Sequence, residues 1–183
     1  MIINYEKFLT YNKNMLNEEK DCTGHKYGCV MIYLHIDNWN NIISTINIDD
    51  VYQSNDITQY PHITALYGLK DSVTENDIKD ILDKYKDVKF NIEVDGIDIF
   101  ENDDFDVVKM NIKSNILHQL NSDLRNLPYV SDYPDYKPHV TIGFVKPGEG
   151  KKYINISYTA KLDNNIKYVL FTKPDGTKCK FDI

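Results

Sequence analysis

The sequence predicts an α+β fold of two lobes, each a mainly antiparallel sheet with helices on its outside, which face one another across a central groove. Two observations predict this architecture. Short apolar and β-branched runs alternate with Asp-Gly, Asn-Asp-Asp and Pro-Gly turn signals, which is typical of antiparallel strands. In addition, each half of the chain contains strands and one clear amphipathic helix.

The chain length of 183 residues fits one domain of ordinary size. Hydrophobic residues make up 42% of the chain, which is enough for a core and excludes wholesale disorder. No linker-like segment divides the chain. We therefore expect one domain over residues 27–183, preceded by an N-terminal arm or short amphipathic helix over residues 1–26.

The elements of the first half follow from apolar patterning. The sustained apolar run over residues 27–36 predicts a buried strand, followed by a short helix that ends near residue 46. Residues 62–67 predict a second strand, which is entered through Pro61. Residues 74–85 predict the clearest helix, because acidic residues occupy its first turn and apolar residues recur at helical spacing.

The second half begins with a meander and a helix. Residues 115–127 place five leucine and isoleucine side chains on one helical face, and Pro128 ends this helix. The remaining apolar runs predict strands, which we expect at residues 88–94, 96–100, 106–112, 139–145, 153–162, 166–171 and 178–183.

The charge of the chain restricts its partners. Twenty-eight acidic and twenty-one basic residues give a formal net charge of -7, which disfavours binding to long DNA or RNA. Arg125 is the single arginine in the sequence, so most cationic contacts to a small anionic ligand must come from lysine. No apolar run is long enough to span a bilayer, and the first residues do not resemble a signal peptide. We expect no membrane partner and a cytoplasmic location, in the host cytoplasm if the protein is viral.

The cysteines give little indication of a metal site. Cys22, Cys29 and Cys179 are few and odd in number, which fits a reducing compartment better than a disulfide framework. Cys22, His25 and Cys29 have a spacing that could supply three zinc ligands, but no fourth ligand follows at a finger-like interval. Ordinary thiols are the favoured interpretation, and we expect neither a metal nor another cofactor.

Two copies of one short motif carry the functional signal. His62-Ile-Thr64 and His139-Val-Thr141 each follow a proline, and each lies on a predicted strand. Because residues i and i+2 of a strand point to the same face, each strand presents one imidazole and one hydroxyl together. If the halves pack with pseudo-two-fold symmetry, all four side chains converge on the groove.

Paired imidazoles suit phosphoryl transfer without a metal. One neutral histidine can take a proton from the attacking oxygen while the other, as imidazolium, protonates the leaving oxygen. The threonine hydroxyls can donate hydrogen bonds to the non-bridging phosphate oxygens. The pattern leaves open which histidine is the base and which is the acid.

The motif pair resembles that of the 2H phosphoesterase superfamily, and the resemblance covers roughly residues 27–172. It implies a bilobal α+β fold, metal-independent chemistry on phosphodiesters of small nucleotides or RNA ends, and catalysis by His62, Thr64, His139 and Thr141. Within the superfamily, the chain looks most like bacterial and phage members related to 2′-5′ RNA ligase. Some of these destroy cyclic oligonucleotide signals of antiphage defence, which implies a small or cyclic nucleotide substrate.

Aromatic and basic residues beside the motifs are candidates for substrate binding. Tyr60, Tyr133, Tyr136 and Lys137 precede the two histidines and could stack on a base or meet a phosphate. Three functions remain open: a phosphodiesterase, an RNA-end ligase that runs the reverse chemistry, and a module that binds nucleotides without cleaving them.

A second aromatic pair follows the motifs at matched positions. Tyr67 and Phe144 each come five residues after a motif histidine. Strict alternation along a strand predicts that both rings pack in the core.

Overall fold

A computed structural model describes residues 26–53, 57–131, 135–156, 159–160 and 162–183, the side chains of residues 163–165 excepted. The arm or helix expected over residues 1–26 lies outside the described residues except for Lys26. Cys22, His25 and Tyr133 also lie outside them.

Within these ranges the chain forms seven strands, three α-helices and three short 3-10 helices. In chain order the α-helices and strands are β1 (Gly28–Ile36), α1 (Trp39–Ile43), β2 (His62–Leu69), α2 (Glu75–Leu82), β3 (Glu93–Phe100), β4 (Asp106–Lys113), α3 (Asn115–Leu124), β5 (His139–Val145), β6 (Leu162–Thr172) and β7 (Lys178–Phe181). The 3-10 helices are Ile48–Asp50, Asp83–Tyr85 and Gly150–Tyr153. None of the helices in the described ranges has the length and apolar character needed to cross a bilayer.

The strands form one antiparallel sheet in the order β3-β4-β5-β2-β1-β6-β7. The α+β class is confirmed. The two facing sheets that the sequence predicted are instead halves of one sheet, because β2 and β5 pair at Ile63 and Val140. Pairing satisfies backbone groups of both strands that would otherwise form two open edges.

The two halves are joined over a short length only. Beyond the Ile63–Val140 pair, other backbone occupies the inner sides of β2 and β5. Isolated bridges join Ile57 to Gly143 of β5 and Tyr129 to Leu69 of β2. The two motif strands therefore meet at their first residues and diverge from there.

One face of the sheet carries the helices and the main core. Alternate residues of the strands lie in a single buried cluster with the apolar faces of all three α-helices. Helix α2 begins at a capping box between Thr74 and Asp77, and α3 begins where the Ser114 hydroxyl accepts from the Leu117 N–H. The other face carries a small cluster of buried residues, Cys29, Met31, Tyr33 and Leu170, beside Tyr168.

Two expected strands were wrong. The first, over residues 88–94, begins only at Glu93, because Asn91 adopts a left-handed backbone conformation (φ 45°) that interrupts an extended run. The second was expected over residues 153–162. There Tyr153 ends a 3-10 helix, and its hydroxyl bonds the Asp50 carboxylate. Strand β6 runs without a break through residues 163–165, which separated the two predicted runs at 153–162 and 166–171.

A buried amide fixes helix α3 to the first motif strand. Asn121 is 5% exposed, and its Nδ2 donates to the carbonyl of Ala65 in β2 at 2.6 Å. Replacing Asn121 by Ala leaves that buried carbonyl unpaired, so we expect Asn121→Ala to lower the free energy of unfolding by about 2 kcal/mol. Asn126→Ala is the matched control, because Asn126 makes an exposed 3.3 Å bond to the Ser122 carbonyl. Equal urea midpoints for both variants would contradict the expectation.

Candidate active site

The pairing register brings the two motifs onto one face of the sheet. One step from the buried pair that joins β2 to β5 places His62 opposite Thr141, and Thr64 opposite His139. Directly opposed residues of antiparallel strands share a face. The joining pair points into the helix-covered core, so these four side chains point to the open face, where each is half-buried.

Each imidazole is oriented by the backbone two residues earlier. Nδ1 of His62 lies 3.0 Å from the carbonyl oxygen of Tyr60, and Nδ1 of His139 lies 2.7 Å from that of Lys137. A carbonyl oxygen only accepts hydrogen bonds, so Nδ1 is the protonated nitrogen in both rings. Nε2 is therefore the atom of each ring that can exchange a proton with a ligand.

The prolines of the two motifs fix these carbonyls. The residue before a proline is restricted to extended conformations, which sets the direction of its carbonyl. Each proline is itself held by the next strand outward. The Leu34 N–H of β1 donates to the Pro61 carbonyl at 3.0 Å, and the Ile112 N–H of β4 donates to the Pro138 carbonyl at 3.0 Å. The same set of backbone contacts thus occurs twice, related by the pseudo-two-fold axis.

The site lowers the pKa of both histidines. Burial lowers the pKa of His62, and the bond to the Tyr60 carbonyl offsets this only in part. Burial also lowers the pKa of His139, with a smaller opposing effect of the Lys137 carbonyl. The positive charges of Lys109 and His62 lower the pKa of His139 further. In the free protein at pH 7 both rings are therefore mainly neutral.

The comparisons with known proteins agree with this geometry. Residues 47–156 match the model of the 2′-5′ RNA ligase superfamily, and the matched range holds both motifs and more than half of the chain. The chain belongs to the 2′-5′ RNA ligase superfamily. A search of curated proteins finds no match. Membership in the superfamily supports an enzyme of the 2H type that acts on phosphodiester bonds, and it does not distinguish hydrolysis from ligation.

The substrate-binding candidates that the sequence predicted differ from one another in exposure. The side chains of Tyr60 and Lys137 are exposed next to the motifs, while their carbonyls orient the histidines. The ring of Tyr136 packs against the core and lies edge-on to His118 at 5.4 Å, and burial raises the pKa of its hydroxyl. Tyr133 lies outside the described residues.

The expectation that Tyr67 and Phe144 pack in the core was wrong. Tyr67 is 40% exposed, and Phe144 is half-buried against the edge of Phe105. The reason is an irregularity in each half of the sheet, which shifts the register between β1 and β2 and between β4 and β5. Such a bulge resets the alternation of faces beyond it.

Sequence analysis missed the side chains that flank the histidines. Tyr33 of β1 lies 5.4 Å from the His62 ring, and Phe100 of β3 lies edge-on to the His139 ring at 5.1 Å. Lys109 of β4 also lies on the His139 side. In the sequence, Lys109 stands out because it interrupts an apolar strand run, between Val108 and Met110.

Two of the three zinc ligands that the sequence allowed, Cys22 and His25, lie outside the described residues. Among the residues that the structure describes, no three His, Cys, Asp or Glu side chains lie close enough to share a metal ion. Cys29 is buried in β1, and Cys179 is half-buried in β7.

Both the pKa directions and the tautomers can be measured by NMR. We expect the 1H and 15N resonances of His62 and His139 to titrate below pH 6.5, with Nδ1 protonated in the neutral rings. Because the folded state then binds fewer protons than the unfolded chain, this contribution to the free energy of unfolding is complete above pH 6.5 and is lost as the pH falls through the folded pKa values. The urea-unfolded protein supplies the reference titration. Midpoints above the reference, or neutral rings protonated at Nε2, would contradict the described site.

Proposed function

We propose that the protein is a metal-independent phosphodiesterase of the 2H type that hydrolyses small or cyclic nucleotides. The observation that carries the proposal is the pairing of β2 with β5, which places two identically oriented imidazoles on one face with Nε2 of each directed away from its carbonyl partner. Two such groups around one phosphodiester supply the acid and the base that in-line hydrolysis needs.

The four motif side chains divide the chemistry between them. Nε2 of the neutral histidine takes a proton from water as the water oxygen attacks phosphorus. The bond from phosphorus to the leaving oxygen breaks, and Nε2–H of the second histidine protonates that oxygen. Thr64 and Thr141 donate hydrogen bonds to the non-bridging oxygens, where charge is held in the transition state.

Substrate binding favours protonation of the histidine that acts as the acid, and the proton comes from solvent. A lowered pKa keeps both imidazoles mainly neutral in the free protein at pH 7. The negative charge of a bound phosphodiester favours imidazolium, and therefore raises the pKa of the rings beside it. The site therefore takes up a proton when the negatively charged phosphodiester binds.

The substrate we propose is a cyclic oligonucleotide or another small nucleotide. The net charge of -7 disfavours long nucleic acids, and the resemblance to phage enzymes supports degradation of cyclic nucleotide signals of antiphage defence. Tyr60 is 42% exposed beside His62 and is our candidate for stacking on a base. The exposed Lys137 beside His139 is our candidate for a second phosphate. The ring of Tyr136 packs against the core, which disfavours it as a ligand contact, and Tyr133 stays a candidate.

A second candidate is supported by the family match. Hydrolysis or ligation of 2′-5′ linkages, or opening of a 2′,3′-cyclic phosphate, would use the same four side chains. The superfamily whose model matches takes its name from 2′-5′ RNA ligase. Ligation would require a 2′,3′-cyclic end and a 5′-hydroxyl. A binding module without catalysis is disfavoured because binding alone needs no paired acid and base.

Loss of either histidine tests the hydrolytic function. We expect His62→Ala and His139→Ala each to lower kcat by about 10²–10⁴-fold on a panel of cyclic di- and trinucleotides, 2′-5′ dinucleotides and 2′,3′-cyclic mononucleotides, with chelator present. His35→Ala is the control, because His35 is exposed on β1. Circular dichroism verifies the fold of each variant. Turnover near the wild-type rate in either motif variant would overturn the proposal.

The threonines can be tested by isosteric replacement. Thr64→Val and Thr141→Val remove the hydroxyl and keep the shape, so we expect kcat to fall by about 10²-fold each with little change in KM. Thr177→Val, in the exposed turn between β6 and β7, is the matched control. An unchanged kcat together with a raised KM would contradict this expectation, because the hydroxyls would then bind the ground state and the transition state equally.

A further inference from the structure

Lys109 is a buried lysine on the open face of the sheet. It is 2% exposed, and its strand partner is Thr141 of the second motif. Its Nζ lies 3.0 Å from Oδ2 of Asp98 and 2.5 Å from Oδ1 of Asn111, and 4.3 Å from the centre of the Phe100 ring. Lysine is seldom fully buried without partners, and here the partners hold the ammonium at one position beside the active site.

The position that corresponds to Lys109 in the other half of the sheet holds Met31 of β1, because Met31 pairs with Thr64 as Lys109 pairs with Thr141. Tyr33 of β1 pairs with His62 in the sheet, and the two ring centres are 5.4 Å apart. The Tyr33 ring stacks in turn on Tyr168 at 4.6 Å. An aromatic ring thus flanks each histidine, and the pseudo-two-fold symmetry ends one position further along the neighbouring strands: Lys109 lies opposite Thr141, whereas the apolar Met31 lies opposite Thr64.

The ammonium acts on His139 more than its counterion does. The Asp98 side chain is 50% exposed, so water screens the carboxylate, whereas the Lys109 side chain is 3% exposed. Two charged or titratable side chains act on the His139 ring, Lys109 from β4 and His62 from β2, and Asp98 of β3 pairs with Lys109. A nearby fixed positive charge disfavours a second one on the imidazole.

We propose that Lys109 is a positioning residue that assigns the two catalytic roles, keeping His139 neutral as the general base and leaving His62 as the general acid. The assignment rests on the proposed function. It also fixes the direction of the substrate: water attacks from the His139 side, and the leaving oxygen departs on the side of His62 and Tyr33.

The coupling between Lys109 and His139 can be measured without any substrate. We expect Lys109→Met to raise the NMR titration midpoint of His139 by about one pH unit, and Asp98→Asn to lower it, with smaller changes at His62. Lys113→Met is the matched control, because Lys113 is an exposed lysine of the same strand paired with Asp95. Opposite shifts in the two variants are not expected from a merely structural role. An unmoved His139 midpoint in both variants would overturn the role of Lys109.

The assignment of acid and base is tested by the leaving group. p-Nitrophenolate leaves without protonation, so a p-nitrophenyl ester of thymidine 5′-phosphate needs no general acid. We expect His62→Ala to recover most of its lost kcat/KM on this ester relative to a dinucleotide, and His139→Ala to recover little. In Lys109→Met the acid limb of the kcat/KM profile should move to higher pH with the His139 midpoint. Recovery by His139→Ala instead would reverse the assignment and overturn the proposal.

Failure of the two proposals can be told apart. If the wild-type protein cleaves neither the ester nor any nucleotide of the panel, the proposed function is overturned, and the assignment of roles with it. The NMR shifts of His139 would still report whether Lys109 sets its charge. If the wild-type protein is active and the ester rescues the wrong variant, only the assignment is overturned.

Discussion

The candidate active site depends on one antiparallel backbone pair, Ile63 with Val140. Both side chains are fully buried under the helices. Because side chains alternate along a strand, the histidine and threonine that flank each of them lie on the open face. A slip of one residue in either strand would turn a histidine and a threonine into the core and bring two apolar side chains into the site. The apolar core therefore specifies the geometry of the polar site, and the register cannot drift without a large loss of buried apolar area.

A second constraint is the backbone of each Pro-His step. The carbonyl before the proline orients the imidazole, and the carbonyl of the proline accepts from the strand outside it. Within the described part of the chain, each Nδ1 contacts a main-chain carbonyl, so rigid main chain orients each imidazole. This arrangement differs from a triad in which a carboxylate supports the base. Among the described residues no carboxylate raises the pKa of either ring, and burial lowers it, so both rings stay mainly neutral until an anion binds.

The sequence predicted the motif strands, their shared faces and the helices well, because these follow from local periodicity around His62 and His139. It predicted two sheets because periodicity says nothing about which strands pair. The bulges that expose Tyr67 and the left-handed Asn91 that delays β3 are also invisible to strict alternation. The importance of Lys109 could not be foreseen either, because a lysine within an apolar strand acquires meaning only when its neighbour across the sheet is known to be Thr141.

The central claim is that the two imidazoles act on one phosphodiester between them. The most direct test is 15N NMR of both histidines at pH 7, before and after saturation with a non-hydrolysable phosphorothioate cyclic dinucleotide. The account predicts that one Nε2 gains a proton while the other stays unprotonated, with both Nδ1 atoms protonated throughout. Unchanged nitrogen shifts in both rings, or protonation of both Nε2 atoms, would contradict it.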